Sequence, residues 1–255
     1  MKAHTILITG ASSGLGREMA LRLTSKCSKM ILVGRNRERL EELKKELEER
    51  REELDVIAVS TDLSVKENCI SLHDEFPDVD LLINDAGFGD FGDFDKTSLD
   101  KDIKMIETNV TALHILTKMY IADMIRKDHG HILNVASIAG FMPGPLMSTY
   151  YATKAYVVRL SESIREELRR RGSHAGISIL CPGPVSTGFE KTANINFNFF
   201  GTDAGGVAAY ALDHLDRFYI VPKLYVKLSR IAVRLIPDSV AARIVYFLQS
   251  GRRGE

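Results

Sequence analysis

Six short runs of β-branched and aliphatic residues recur along the chain: TILIT (5–9), MILVG (30–34), DVIAVS (55–60), DLLIN (80–84), HILNVAS (131–137) and GISILCPG (176–183). Longer stretches with charged faces and helical spacing lie between them. Strand, helix and strand in repetition demand right-handed crossovers and a parallel sheet. The 255 residues suit one large α/β unit or two small ones, with a sizeable core in either case. No linker, low-complexity run or solenoid-period repeat divides them. The expectation is one doubly wound α/β domain over residues 1–255, with helices on both faces of a parallel sheet.

The first run opens directly into ITGASSGLGRE (8–18), with Gly10, Gly14 and Gly16 spaced G-x-x-x-G-x-G. Glycine there permits positive φ and close approach of the backbone to a pyrophosphate, while the N-terminus of the next helix offers unpaired N–H groups. A tight turn that binds nothing is the alternative. The position straight after the first strand weighs against it and points to a Rossmann fold. The second strand ends in Gly34-Arg35. An acidic residue at that point would bond the ribose hydroxyls of NAD, whereas a small residue followed by arginine makes room and counter-charge for a 2′-phosphate. Arg35 is therefore assigned to the phosphate, with Ser12 or Ser13 adding a hydroxyl. Arg37 and Arg39 are read as helix-surface charges.

Composition excludes some partners. Lys+Arg and Asp+Glu both number 34, which leaves no basic footprint for nucleic acid. The charge is uneven, however: from Arg217 to Glu255 eight basic and two acidic residues give +6, leaving −6 elsewhere. Cys27, Cys69 and Cys181 are widely spaced and odd in number, as in a reducing compartment. MKAHTILITG reads as a first core strand, not a signal peptide, and no run reaches the apolar length of a membrane span. A cytoplasmic protein is expected. RNRERLEELKKELEERREEL (35–54) ends too soon for a coiled coil and is read as a crossover helix. The acidic stretch GDFGDFDKTSLDKD (89–102) lacks further ligands at metal spacing and is read as a surface loop, so no metal is expected.

STYYATK (148–154) holds two tyrosines and a lysine. A phenol of pKa about 10 becomes useful near neutrality only beside a cation. On a helix Tyr150 lies four residues from Lys154 and Tyr151 three, which leans to Tyr150 without deciding.

Taken in order, these features resemble the short-chain dehydrogenase/reductase family over residues 4 to about 188. Thr9 to Gly16 match its T-G-x-x-x-G-x-G, Asp62-Leu63 its adenine-side pair, and Asn84 to Gly87, NDAG, its N-N-A-G with Asp85 in place of the second asparagine. Asn109 falls where the family has a catalytic asparagine, Ser137 lies thirteen residues before Tyr150, Tyr150 and Lys154 match Y-x-x-x-K, and CPGPVST (181–187) matches the P-G stretch beside the nicotinamide. The resemblance implies catalysis by Asn109, Ser137, Tyr150 and Lys154. It also implies cofactor contacts from Gly10, Ser12, Ser13, Gly14, Leu15 and Gly16, from Arg35, Asp62 and Leu63, from Asn84, Ala86 and Gly87, from Tyr150 and Lys154, and from Pro182, Gly183, Val185 and Thr187. Tyr150 is then the active tyrosine and Tyr151 a packing residue. Lys154 would bind the nicotinamide ribose and lower the Tyr150 pKa. Moving it from about 10 to about 7 requires roughly 4 kcal/mol. Tyr150 would protonate the carbonyl oxygen that Ser137 holds, and Asn109 would position a water.

The implied activity is NADP(H)-dependent interconversion of a carbonyl and a secondary alcohol on an apolar substrate, with NADPH preferred over NADH. A 3-oxoacyl thioester reductase is the alternative, ahead of a non-catalytic nucleotide sensor, which would lose the Tyr or Lys. The segment at about 188–210, with Phe189, Phe197, Phe199 and Phe200, would close over the substrate, opposite Met142, Pro143, Pro145 and Met147. PKLYVKLSRIAVRLIP (222–237) sets Leu224, Leu228, Ile231 and Leu235 on one stripe beside Lys223, Lys227, Arg230 and Arg234, an amphipathic helix. A second helix follows from Asp238 or Ser239, so 222–248 forms a helical cover. A cover over the pocket or a subunit contact, in a homodimer or homotetramer, ranks ahead of an anionic membrane surface or an acidic carrier protein.

Overall fold

The computed structural model describes residues 3–186, 193, 202–233 and 235–251. Chain order is β1 (Thr5–Thr9), α1 (Gly14–Leu23), β2 (Lys29–Gly34), α2 (Arg37–Arg50), β3 (Asp55–Ser60), α3 (Lys66–Glu75), β4 (Leu81–Asn84) and α4 (Leu99–Ile106). A π-helical turn, Glu107–Ala112, carries α4 into α5 (Leu113–Lys127). Then come β5 (His131–Val135), a 3-10 turn (Ile138–Phe141), α6 (Ser148–Arg171), β6 (Gly176–Leu180), β7 (Val185–Ser186) and β8 (Thr202–Asp203). The remaining elements are α7 (Ala204–Asp213), β9 (Tyr219–Ile220), α8 (Leu224–Val233) and α9 (Asp238–Ser250).

Among the described residues the main sheet is seven-stranded and parallel, ordered β3-β2-β1-β4-β5-β6-β9. Its strands are aliphatic at nearly every position because both faces are covered. Period-2 alternation sends Leu7, Ile31 and Val33 to the face under α3, α5 and α6, where they meet Leu72, Leu116, Tyr120 and Val157. Ile6, Ile8, Met30 and Leu32 go to the other face, against Met19, Leu43, Leu47 and Ala208 of α1, α2 and α7. Each fully buried aliphatic side chain contributes about 1.5–3 kcal/mol. The densest charge run is thus the outer face of α2: Leu40, Leu43 and Leu47 are buried, and the Asn36 side chain caps the helix by accepting from Arg39 N at 2.9 Å.

Strand order reverses between β1 and β4, the switch point outside which ligands bind in open α/β sheets. Two predicted runs are shorter than expected: β5 stops at Val135 and β6 at Leu180, where the chain leaves the sheet to line that crevice. Thr202 onward, assigned in part to a substrate-closing segment, instead enters α7, whose Val207 and Ala208 are core residues. The other residues of that segment, Phe189, Phe197, Phe199 and Phe200 among them, lie outside the described residues apart from Ala193.

The C-terminal helices differ from the sequence pattern in one respect. The stripe of Leu224, Leu228, Ile231 and Leu235 is exposed, and α8 turns Val226 inward. Two contacts fix that rotation: Tyr225 sits against Gly183, and the Arg230 guanidinium lies 3.9 Å from the Tyr219 ring centroid. Among the described residues no helix is long and apolar enough to cross a membrane.

Candidate active site

The glycine turn is shaped by the strand next to it. Gly10 has φ 73°, and a Cβ on it would stand 2.9 Å from Ala86 N; a Cβ on Gly16 would stand 2.7 Å from Gly10 O. Larger residues would push the turn off the NDAG stretch. The two are also tied by hydrogen bonds: Asp85 N and Ala86 N each donate to Thr9 Oγ1 at 3.1 Å, and Gly16 N donates to Asp85 Oδ2 at 2.8 Å. Ser13 occupies the N-cap of α1 without making a side-chain cap bond, so the amides of Gly14 and Leu15 are presented to the cleft, the geometry that holds a phosphate.

Loops at the C-terminal ends of six strands line one cleft of about 350 Å³, within the roughly 300–1,000 Å³ of small-molecule sites. Gly34 and Arg35 stand at one end with Arg39, and a Cβ on Gly34 would approach Ser12 Oγ at 3.2 Å. Asp62 accepts from Ser64 N and Oγ, at 3.1 and 2.8 Å, and pairs with Lys104 at 3.0 Å. Burial raises its pKa, but these partners outweigh that and hold it below the usual range.

At the other end Ser137 follows β5, and the small residues Ala139 and Gly140 let the 3-10 turn touch α6: a Cβ on Gly140 would lie 2.7 Å from Lys154 O. That approach brings Ser137 into hydrogen-bond contact with Tyr150. Burial pushes the Tyr150 phenol well above its ordinary range, with Ser137 opposing. Lys154 is buried, donates to Val135 O at 2.9 Å, and has its Nζ 5.9 Å from the Tyr150 ring centroid. Burial pulls its pKa down while the Asp85 carboxylate pulls it up. Asp85 itself is raised by burial against the opposing effects of Lys154 and the Gly16 N–H.

Asn109 lies in the π turn, a widening common at functional positions. Its Oδ1 accepts from Phe88 N at 3.0 Å, and its Nδ2 donates to Phe88 O at 2.8 Å and Thr153 Oγ1 at 3.1 Å. Both amide protons are engaged, which leaves a lone pair of Oδ1 for a water. Gly87 sits between this amide and Lys154, its would-be Cβ 3.0 Å from Asn109 Oδ1 and 3.5 Å from Lys154 Nζ.

Of the residues named from the sequence, Gly16, Asn84 and Asn109 stand behind the cleft wall instead of in it. Asn84 donates to Thr117 Oγ1 and Asn134 Oδ1 at 3.1 and 2.9 Å, cross-linking β4, β5 and α5. Thr187 lies outside the described residues. The other named residues face the cleft. Met147 does too, unlike Met142, Pro143 and Pro145. Two residues beyond those named for the site also border the cleft. Arg39 shares the Arg35 end of the cleft, as its i+4 position on the first turn of α2 allowed. Tyr151 borders the cleft beside Tyr150, with its ring against Gly144 and its hydroxyl accepting from Gln249 Nε2 at 3.0 Å. Among the described residues no cluster of His, Cys, Asp or Glu could hold a metal.

A glycine cradle at a switch point, with a serine, a tyrosine and a lysine gathered at its far end, defines a dinucleotide-dependent oxidoreductase. The family model described as short chain dehydrogenase matches residues 4–197, and the chain belongs to that family, whose members act on CH–OH and C=O groups. It is 33% identical to the NADP-dependent 3-hydroxy acid dehydrogenase YdfG of Escherichia coli over 193 residues, 75% of this chain and 76% of that protein. A short-chain dehydrogenase from Sphingobium yanoikuyae, solved in complex with NADPH, superimposes with a TM-score of 0.83 at 28% identity, covering 91% of this chain and 92% of that one. The bulky-bulky ketone specific alcohol dehydrogenase from Comamonas testosteroni does so with a TM-score of 0.78 at 27% identity, covering 92% and 94%.

Proposed function

We propose that this chain is an NADP(H)-dependent reductase of apolar ketones or aldehydes, working also as the alcohol dehydrogenase in reverse. The observation that carries the reading is the convergence of Ser137, Tyr150 and Lys154 on one cleft whose opposite end holds Gly34, Arg35 and Arg39. The Gly10–Gly16 turn and the amides of α1 would hold the pyrophosphate, Arg35 and Arg39 the 2′-phosphate, and Lys154 the nicotinamide ribose. When bound, NADPH supplies a hydride for the carbonyl carbon.

The residues of the chain handle the oxygen end of that bond. The Ser137 hydroxyl holds the carbonyl oxygen, and Tyr150 gives it a proton. Burial alone opposes release of that proton, so the positive charge of Lys154 is what would bring the phenol toward the working range. The Lys154 ammonium stabilises the phenolate left behind, and Asn109 fixes the Phe88 backbone and Thr153 beneath it. Positioning both donors across one C=O supplies the orientation term. Met147 and Phe91, packed with the rings of Tyr150 and Tyr151, make the substrate end apolar. The names of the relatives, an NADP-dependent hydroxy acid dehydrogenase and a bulky-ketone alcohol dehydrogenase, support this reaction class.

The test is NADPH oxidation against a panel of ketones, aldehydes and 3-oxoacyl thioesters. Turnover of free apolar carbonyls is expected; turnover of thioesters alone would move the reading to a thioester reductase. Tyr150→Phe should lower kcat at least about 100-fold while NADPH fluorescence titrations stay unchanged. Tyr151→Phe should keep most activity. A dead Tyr151 variant beside an active Tyr150 variant would reverse the assignment.

A further inference from the structure

α8 and α9 meet the body along narrow lines. Among their described side chains α8 buries Val226, and α9 buries Ala241, Val245 and Gln249. Apart from Tyr225, which touches Gly183, most of their other large apolar side chains are exposed. Leu224, Leu228 and Ile231 on the first, and Ile244, Phe247 and Leu248 on the second, are each at least half exposed, Phe247 reaching 78%. Singly exposed leucines need no explanation, but a group on two consecutive helices does. Cations border it: Lys223 and Lys227 beside the α8 stripe and Arg243 beside that of α9, all exposed. Residues 217–255 carry eight basic and two acidic residues, against −6 for the rest of the chain.

Charge decides between occupants. A two-fold contact between copies sets the same surface against itself, so the basic border would face its own image, and the two helices offer only Asp238 in compensation. An anionic lipid surface supplies an apolar layer for the leucines and phenylalanine and negative headgroups for the lysines and arginine. Both helices also touch the cleft. The Tyr225 hydroxyl packs on Gly183, and Gln249 donates to Tyr151, so the helices that carry the exposed stripes flank the substrate end. We propose that α8 and α9 dock the protein on an anionic lipid surface with the substrate end of the cleft at the edge of that surface.

The experiment is co-sedimentation of the full chain with vesicles of phosphatidylcholine alone or mixed in equal parts with phosphatidylglycerol, at low and high salt. Strong, salt-sensitive binding to the mixed vesicles and weak binding to neutral ones is expected. Lys223→Ala and Lys227→Ala should each lower the partition constant about 5-fold, and Phe247→Ser about 10-fold or more. None of these side chains lines the cleft, so turnover of a water-soluble ketone without vesicles should not change. Absence of binding to the mixed vesicles overturns the proposal, as does equal binding to both kinds with no effect of the lysines. Vesicle-free protein whose dimer is split by Phe247→Ser would make the face a contact between copies. Binding to an acidic acyl carrier protein in place of vesicles would make it a carrier site.

Discussion

Asp85 stands where the family pattern has an asparagine, and its carboxylate accepts the Gly16 N–H while facing the buried Lys154. An asparagine there keeps an acceptor for Gly16 but removes the charge that supports the lysine ammonium. In Asp85→Asn the Lys154 pKa, already lowered by burial, falls further, so the cation is lost at lower pH. The alkaline limb of the kcat/KM profile for reduction should therefore move to lower pH, by up to about one unit, with turnover below that limb nearly unchanged. Superimposable profiles would show that the two groups do not communicate. That Asp85 departs from the pattern was legible in the sequence; its partner, 69 residues earlier, was not. The same limit applies to the tyrosines. Helical spacing favoured Tyr150, yet the bond from Gln249 to Tyr151 spans 98 residues, and nothing local announces it.

At the scale of elements, legibility followed burial. Strands covered on both faces read as aliphatic runs, and five of the six predicted runs matched observed strands to within a residue or two at either end; the sixth, 176–183, overran its strand by three. β9 has two residues, too few for any period, and went unseen. The π turn escaped because ETNVTA contains no breaker, only a shift of hydrogen-bond register. The rotation of α8 escaped because tertiary contacts, not its own stripe, set it. His131, at the start of β5, shows what such contacts cost. Its Nε2 bonds Ser178 Oγ at 2.7 Å across to β6, and a Cβ on Gly176 would fall 2.3 Å from its Nδ1. Burial lowers its pKa from 6.5 to about 4. Between those values the unfolded chain binds a proton that the folded one refuses, so this stability is present above pH 6.5 and is lost as pH falls toward 4. The loss approaches about 3 kcal/mol. Urea unfolding at both ends of that window should show a smaller decline in His131→Gln by about that amount; parallel declines would place the acid sensitivity elsewhere.

For the molecule as a whole, the reversal of strand order between β1 and β4 puts two halves on either side of one cleft. Gly10, Arg35 and Asp62 come from the β1–β3 half, and Gly87, Ser137 and Gly183 from the β4–β6 half. A dinucleotide held across them ties the halves together, so its affinity is readable as stability without any turnover. On the proposed reading Arg35 would add a charge-assisted bond to a 2′-phosphate, about 1.5–3 kcal/mol, or roughly 10- to 150-fold in affinity. At equal concentrations well above both dissociation constants, NADPH should raise Tm beyond NADH by about 3–12 °C. High salt should narrow the gap as the phosphate is screened. Arg35→Ala should remove most of it by weakening NADPH, and Arg39→Ala a smaller part. Gly34→Asp should invert it, since a carboxylate accepts from the ribose and repels the phosphate, provided Ser12 Oγ yields to a Cβ that would approach it at 3.2 Å. Equal stabilisation of the wild type by both cofactors would remove Arg35 from the phosphate and leave the Ser137, Tyr150 and Lys154 arrangement untouched, because those residues lie at the nicotinamide end, where the two cofactors are identical.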